Sequence, residues 1–217
     1  KGRDPKKDQS YFLFALDYEK LSRVIFPIGE MTKEEVRKIA RTLSLPCARS
    51  RESTDLCFGA EDGVPESLRK HFEAKALCGL FVDENGAVLG QHKGYHRYTI
   101  GQRRGLGFPH SQRLWVKNIE KDGRIVLVGD EKKLFQRELE AASLTWTGKK
   151  TDWNPPQSFE CRAKIRYRSE PSPATVHISD DGRAKVHFES PQRAVTRGQA
   201  VVFYQGEKVL GGGWIDG

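Results

Sequence analysis

Ala200-Val201-Val202-Phe203-Tyr204-Gln205-Gly206-Glu207-Lys208-Val209-Leu210 reads as two short strands, Ala200–Tyr204 and Lys208–Leu210, joined at Gln205-Gly206. β-Branched and aromatic residues suit a pleated, half-buried surface, and a glycine-bearing turn lets the chain double back. The same pattern repeats outward from this stretch. Ser143–Trp146, Glu160–Tyr167, Ala174–Ile178 and Ala184–Glu189 are further candidate strands, with turn residues at Asp180-Asp181-Gly182 and Arg197-Gly198. Short strands spaced this regularly predict a C-terminal antiparallel β-barrel over residues 139–217.

Upstream, Phe81-Val82 and Ala87-Val88-Leu89 flank Asp83-Glu84-Asn85-Gly86, a hairpin signal. Leu114–Ile119 and Arg124–Val128 flank Lys121-Asp122-Gly123, a second one. Pro65–Ala76 suggests a short helix with Pro65 in its first turn. Together they predict a small central α+β domain over residues 65–138. Residues 1–64 read as mainly helical. Phe12, Leu13, Leu16 and Leu21 recur at helical spacing between Gln9 and Ser22. Thr32 and Glu35 form a capping box, and Val36, Ile39, Ala40 and Leu43 continue a helix that stops before Pro46. Phe26–Leu45 is expected to pack with the central domain. The fold class is α+β.

The 217 residues suffice for two small domains. Lys and Arg number 37 against 29 Asp and Glu, a net charge of +8 that favours an acidic partner, most commonly nucleic acid. Cys47, Cys57, Cys78 and Cys161 are widely and irregularly spaced, which disfavours a zinc site built from local ligands. A chain rich in Lys and Glu, with no signal peptide, reads as cytoplasmic with reduced thiols. No apolar run approaches the length of a membrane span. Lys1-Gly2-Arg3-Asp4-Pro5-Lys6-Lys7 resembles a mid-protein loop, so a piece of a longer polypeptide is expected.

Cys57 is the candidate reactive group. It lies in Ser53-Thr54-Asp55-Leu56-Cys57-Phe58-Gly59, after the basic Arg49 and Arg51, which would favour the thiolate. A packed, inert thiol is the alternative. Gly94 to Gly107 interleaves Tyr95 and Tyr98 with His96, Arg97, Arg103 and Arg104, a mixture suited to base stacking and phosphate contact. A glycine-rich loop with a basic rim is equally open. Lys164-Ile165-Arg166-Tyr167-Arg168 alternates like a strand and would place three cations on one face as a phosphate rail, or as a solvated face. Lys7-Asp8-Gln9 opens the first helix, with Asp8 as its cap or the cluster aimed at RNA. His92 and His96 are four apart, but Gly94 between them argues against a helical metal pair.

These segments together resemble one family, the bacterial tRNA-specific 2-thiouridylases. The resemblance rests on Lys7-Asp8-Gln9-Ser10-Tyr11-Phe12-Leu13, Phe26-Pro27-Ile28-Gly29 and Ser53-x-Asp55-Leu56-Cys57-Phe58. It continues through Tyr98-Thr99-Ile100-Gly101-Gln102-Arg103-x-Gly105-Leu106-Gly107, Ala163–Arg168, Pro191-Gln192-x-Ala194-Val195-Thr196 and Leu210-Gly211-Gly212-Gly213. Asp55 and Gly59-Ala60-Glu61-Asp62 depart from the commoner cysteine loop, and Arg197 stands where proline is usual.

The resemblance implies the tail of a nucleotide domain of the ATP-pyrophosphatase type, then the central domain and the barrel. It implies replacement of oxygen by sulfur at C2 of the wobble uridine in tRNAs for Lys, Glu and Gln. Mg-dependent ATP, bound by an N-terminal domain whose phosphate loop is absent from this sequence, activates the base. Cys57 carries the sulfur as a persulfide, received from a cysteine desulfurase relay; the persulfide either attacks directly or releases sulfide after attack by a second cysteine of the family, also absent here. Some members have instead been assigned an iron–sulfur cluster. Lys7, Asp8, Gln9, Arg166, Tyr167 and Gln199 match tRNA contacts. This stretch alone is expected to be inactive. Two alternatives stay open: a non-catalytic tRNA-binding module and a stand-alone persulfide carrier.

Overall fold

The computed structural model describes residues 1–50, 78–149 and 154–217. Cys57, with the cysteine loop around it, and the expected helix Pro65–Ala76 lie outside the described residues. The chain divides into two compact units, residues 1–51 with 137–217, and residues 52–136. Phe26–Leu45 falls in the unit that holds the barrel, whereas the sequence placed it with the central domain.

The barrel unit is built from six strands: β5 (Phe135–Trp146), β6 (Ser158–Lys164), β7 (Ser172–Ile178), β8 (Ala184–Arg193), β9 (Ala200–Gln205) and β10 (Lys208–Ile215). They close in the order β10-β5-β8-β7-β6-β9, with antiparallel pairing. β8 shows the alternation that a one-sided strand requires. Ala184, Val186 and Phe188 enter the core, while Lys185, His187 and Glu189 face out. Leu139, Ala141, Ala163, Val176, Val201, Phe203 and Ile215 complete that core.

β9 breaks the alternation, since Ala200 through Tyr204 are all buried. Val201 and Phe203 point into the barrel. Ala200, Val202 and Tyr204 are covered on the outside by Tyr11 and Phe14. The N-terminal segment is thus a second layer over one barrel strand. The close approach requires glycine: a Cβ on Gly212 would lie 2.9 Å from Phe14 Cδ2 and 2.4 Å from the Val201 carbonyl oxygen.

That segment is not the single helix its spacing suggested. A 3-10 turn spans Ser10–Ala15, Leu16 is extended, and a short helix α1 follows at Tyr18–Leu21. One aspartate precedes the expected helix and another breaks it. Asp8 binds the Ser10 N–H, and Asp17 caps α1 by accepting from the Lys20 N–H. Helix α2 (Lys33–Thr42) has the expected capping box between Thr32 and Glu35, and a left-handed Ser44 ends it.

The other unit carries a four-stranded sheet, β2-β1-β4-β3, from β1 (Gly79–Val82), β2 (Val88–His92), β3 (Trp115–Ile119) and β4 (Ile125–Val128). Both expected hairpins form. In the first, Asp83 Oδ1 accepts from the N–H groups of Asn85 and Ala87, and Gly86 takes φ +85°. β1 and β4 pair in parallel, which no local signal announced. Phe81, Leu106, Leu114, Val116, Ile125 and Leu127 form the core of this unit.

Candidate nucleic-acid interface

The structure brings Lys7–Phe12 together with the turn after β6. Asp8 is the anchor. One carboxylate oxygen accepts from the Gly2 N–H at 2.9 Å and the Ser10 N–H at 3.0 Å; the other accepts from the Ser10 hydroxyl at 2.8 Å. Burial pushes the Asp8 carboxyl up, but these hydrogen bonds outweigh it and hold the group below its usual value. Asp8 therefore shapes the loop, while its neighbours Lys7 and Gln9 are exposed. A carboxylate with a depressed pKa contributes stability above its unfolded pKa and loses it as pH falls through the lower folded value. Docking of the segment should thus weaken below roughly pH 4. Asp8→Asn should flatten that acid limb in amide exchange of Ser10 and Tyr11; an unchanged limb would assign it to another group.

Tyr11 is buried, and its hydroxyl donates to the Ala200 carbonyl oxygen at 2.9 Å. Burial pushes the phenols of Tyr11 and Tyr204 up to about 12, so both are neutral donors at physiological pH. Phe12 is different. Its sequence spacing suggested a core position, yet it is 55% exposed. Its ring centroid lies 4.8 Å from that of Tyr167, and the Lys164 ammonium lies 5.7 Å from the Tyr167 ring and 5.9 Å from Tyr11. Exposed Phe12 against half-buried Tyr167, with a cation over the tyrosine ring, suits a nucleobase, which stacks at about 1–3 kcal/mol per base.

The alternating strand expected over Lys164–Arg168 does not exist. β6 ends at Lys164, Ile165 turns into the core, and the Ser169 N–H closes a turn on the Arg166 carbonyl oxygen. Ile165 stays in the core, as the alternation from Ala163 expects, but the chain turns immediately after it, so the three cations do not share a strand face. Arg166 instead crosses to the β8–β9 loop, where Nη2 donates to the Ala194 carbonyl oxygen at 2.7 Å. The same oxygen accepts from the Thr196 hydroxyl at 2.9 Å.

Gln199 follows in that loop, next to the carbonyl that holds Tyr11. Arg166 Nε and Gln199 Oε1 are buried without a hydrogen-bond partner among the described residues. Burial and the nearby Arg193 cation pull the Arg166 pKa down from its ordinary value, although arginine stays charged in proteins. Two neighbouring arginines make a setting that favours an anion.

The other candidates separate clearly. His92 donates from Nε2 to the Gly123 carbonyl oxygen and accepts the Gly94 N–H at Nδ1, so both ring nitrogens are used within the fold. Among the described residues, no three His, Cys, Asp or Glu side chains gather as a metal site, so those residues offer nothing an iron–sulfur cluster would fit. Cys161 is half-buried and its thiol is pushed up to about 12 by burial, which keeps it protonated. Cys47 and Cys78 are exposed and free. No helix among the described residues is long and apolar enough to cross a membrane.

Three family models together match nearly the whole chain. They are the tRNA methyl transferase HUP domain over residues 1–61, the tRNA methyl transferase PRC-barrel domain over 66–130 and the aminomethyltransferase beta-barrel domain over 136–215. The tRNA-specific 2-thiouridylase MnmA of Geobacter metallireducens is 46% identical over 216 residues, which is 100% of this chain and 58% of that protein. The chain belongs to the tRNA-specific 2-thiouridylase family. The corresponding proteins of Geotalea uraniireducens and Acidithiobacillus ferrooxidans are 42% and 43% identical, again over 100% of this chain and over 56% and 61% of their own lengths. The chain thus spans less than two thirds of these 2-thiouridylases. The glycine run of the family resemblance has a physical role here: Gly212 lets Phe14 of the N-terminal segment lie directly on β10, while a Cβ on Gly211 or Gly213 would meet β5.

Proposed function

We propose that this chain is the tRNA-docking and sulfur-carrying part of a tRNA-uridine 2-sulfurtransferase. The observation that supports it most is the surface where Lys7–Phe12 meets the turn at Arg166-Tyr167 and the loop at Gln199. It combines exposed Lys7, half-buried Lys164 and Arg166, a stacking pair and unsatisfied polar groups on a basic protein. Lys7, Gln9, Arg166 and Gln199 take phosphate, sugar and base edges of tRNA for Lys, Glu and Gln, and Phe12 with Tyr167 takes a base face. Asp8 positions the segment from beneath.

Cys57 carries sulfur delivered by a cysteine desulfurase relay. The terminal persulfide sulfur attacks C2 of the wobble uridine, and the C2 oxygen departs. A second thiolate of the full-length enzyme then attacks Cys57 Sγ. The S–S electron pair goes to the transferred sulfur, and the two cysteines end as a disulfide. ATP, when bound, supplies the activation that makes the oxygen a leaving group. No step of that chemistry is assigned to the described residues.

The test is the affinity of this chain for unmodified tRNA, by fluorescence anisotropy across a salt series. Affinity should fall steeply with salt. Arg166→Gln should weaken it roughly tenfold or more, the worth of a charge-assisted contact. Arg183→Gln should leave it unchanged, because Arg183 is already paired with Glu140 and Asp216. Salt-insensitive binding, or equal loss in both variants, would contradict the assignment.

A further inference from the structure

The central unit has an unassigned cavity of about 480 Å³, lined by Arg103, Gly105–Phe108, His110 and Gln112–Leu114. Its floor is apolar. Leu106 and Leu114 are buried, and the Phe108 ring packs on Phe81 with centroids 4.9 Å apart. Its rim is cationic, with no carboxylate among the lining residues. Arg103 and Arg113 are exposed and make no ion pair or hydrogen bond among the described residues.

Three other cations of the unit are neutralised by carboxylates. Lys117 and Lys133 both sit on Glu84, and Arg124 is held by Glu120 and Asp122. At the cavity rim no carboxylate does the same for Arg103 and Arg113.

The loop is also firmly held, so the rim is presented and does not merely trail in solvent. The Gly101 N–H donates to the Val116 carbonyl oxygen at 2.7 Å, and the Val116 N–H donates to the Gln102 carbonyl oxygen at 2.9 Å. The Gln102 side chain ties Thr99 to Arg104. Gly105 and Gly107 take φ +72° and +83°, so the loop curves in a way that L side chains rarely allow. Tyr98, which the sequence offered as a stacking ring, is packed edge-on against Phe81 and anchors the loop instead.

We propose that this cavity is a second nucleotide-binding site, taking one unpaired nucleotide of the bound RNA strand. The phosphate lies between Arg103 and Arg113, and the sugar or base lies on the Leu106, Phe108 and Leu114 floor. A cavity of this size with an apolar floor and a few polar groups at the rim is a typical ligand site. Guanidinium groups without carboxylate partners are the natural match for a phosphate diester. The site rests on the tRNA-docking function proposed above, and it would lengthen the RNA footprint into the central unit.

The experiment compares Arg103→Gln/Arg113→Gln, Phe108→Leu and Arg166→Gln in this chain, with tRNA and with adenosine monophosphate as probes. The double variant should lower tRNA affinity about tenfold at moderate salt and reduce the slope of log K against log salt by about two contacts' worth. Phe108→Leu keeps an apolar core residue and should reduce affinity about fivefold through lost stacking. Loss with Arg166→Gln but none with the double variant overturns the second site and leaves the docking function standing. No loss with any variant overturns both. Saturable binding of adenosine monophosphate that the double variant abolishes, with tRNA affinity unchanged, identifies a free-nucleotide site and overturns the RNA-strand assignment.

Discussion

A full-length enzyme carrying Cys57→Ser should form no 2-thiouridine above background, a loss of about 10³-fold or more, as removal of a nucleophile typically gives. Serine cannot hold the sulfane sulfur, so no electrophilic or mechanical compensation is available. The other thiols provide the contrast. Cys161 is held protonated by burial, and Cys47 and Cys78 are exposed and free. Cys47→Ser, Cys78→Ser and Cys161→Ser should each retain activity. After incubation with a cysteine desulfurase, mass spectrometry should find one added sulfur, on the peptide containing Cys57. Thiolation surviving in Cys57→Ser, or sulfur spread evenly over the four cysteines, would remove the assignment.

Gly212→Val should be the most damaging change in the barrel unit. The new Cβ alone would stand 2.4 Å from the Val201 carbonyl oxygen, a backbone atom of the β9 strand, and 2.9 Å from Phe14 Cδ2. Neither neighbour yields cheaply. The strand can move only by breaking its pairing with β10, and Phe14 can move only by leaving the layer that covers Ala200, Val202 and Tyr204. Overpacking costs about 1–3 kcal/mol, and exposing a buried phenylalanine adds about 2 kcal/mol more. A urea midpoint should fall by the equivalent of roughly 3 kcal/mol or more, with tRNA affinity lost in parallel as the N-terminal segment detaches. Gly182→Asn is the control. Its site is a turn at φ +78° with nothing within 4 Å of a Cβ, and asparagine tolerates that conformation. Equal midpoints for the two variants would show that the segment does not depend on the glycine contact.

The barrel was legible because its strands are local and alternate, and because Gly and Asp mark the turns. Both central hairpins and the α2 capping box were legible for the same reason: each is encoded within a few consecutive residues. The errors share a cause. The strand end at Lys164 was missed because the alternation holds through Ile165, buried like Ala163, and the turn that follows, closed by the Ser169 N–H on the Arg166 carbonyl oxygen, carries no glycine or proline to announce it. The first helix was overextended because Asp8 and Asp17 bind local N–H groups and so compete with helical pairing. Phe12 was read as core because hydrophobic spacing cannot say which face is covered. The parallel β1–β4 pairing and the Arg166 contact to Ala194 are long-range and left no local mark. The residues Lys7, Asp8, Gln9, Arg166, Tyr167 and Gln199 were found by resemblance. Only the folded chain separates Asp8, which builds the loop, from Lys7 and Gln9, which face solvent.

Amide hydrogen exchange of this chain, with and without tRNA, tests most directly whether the N-terminal segment and the barrel form one RNA surface. Lys7–Phe12, Arg166–Tyr167 and the loop from Ala194 to Gln199 should gain protection together, and Arg166→Gln should diminish it at all three. Protection that avoids these segments, or that covers one and spares the others, would contradict a shared surface.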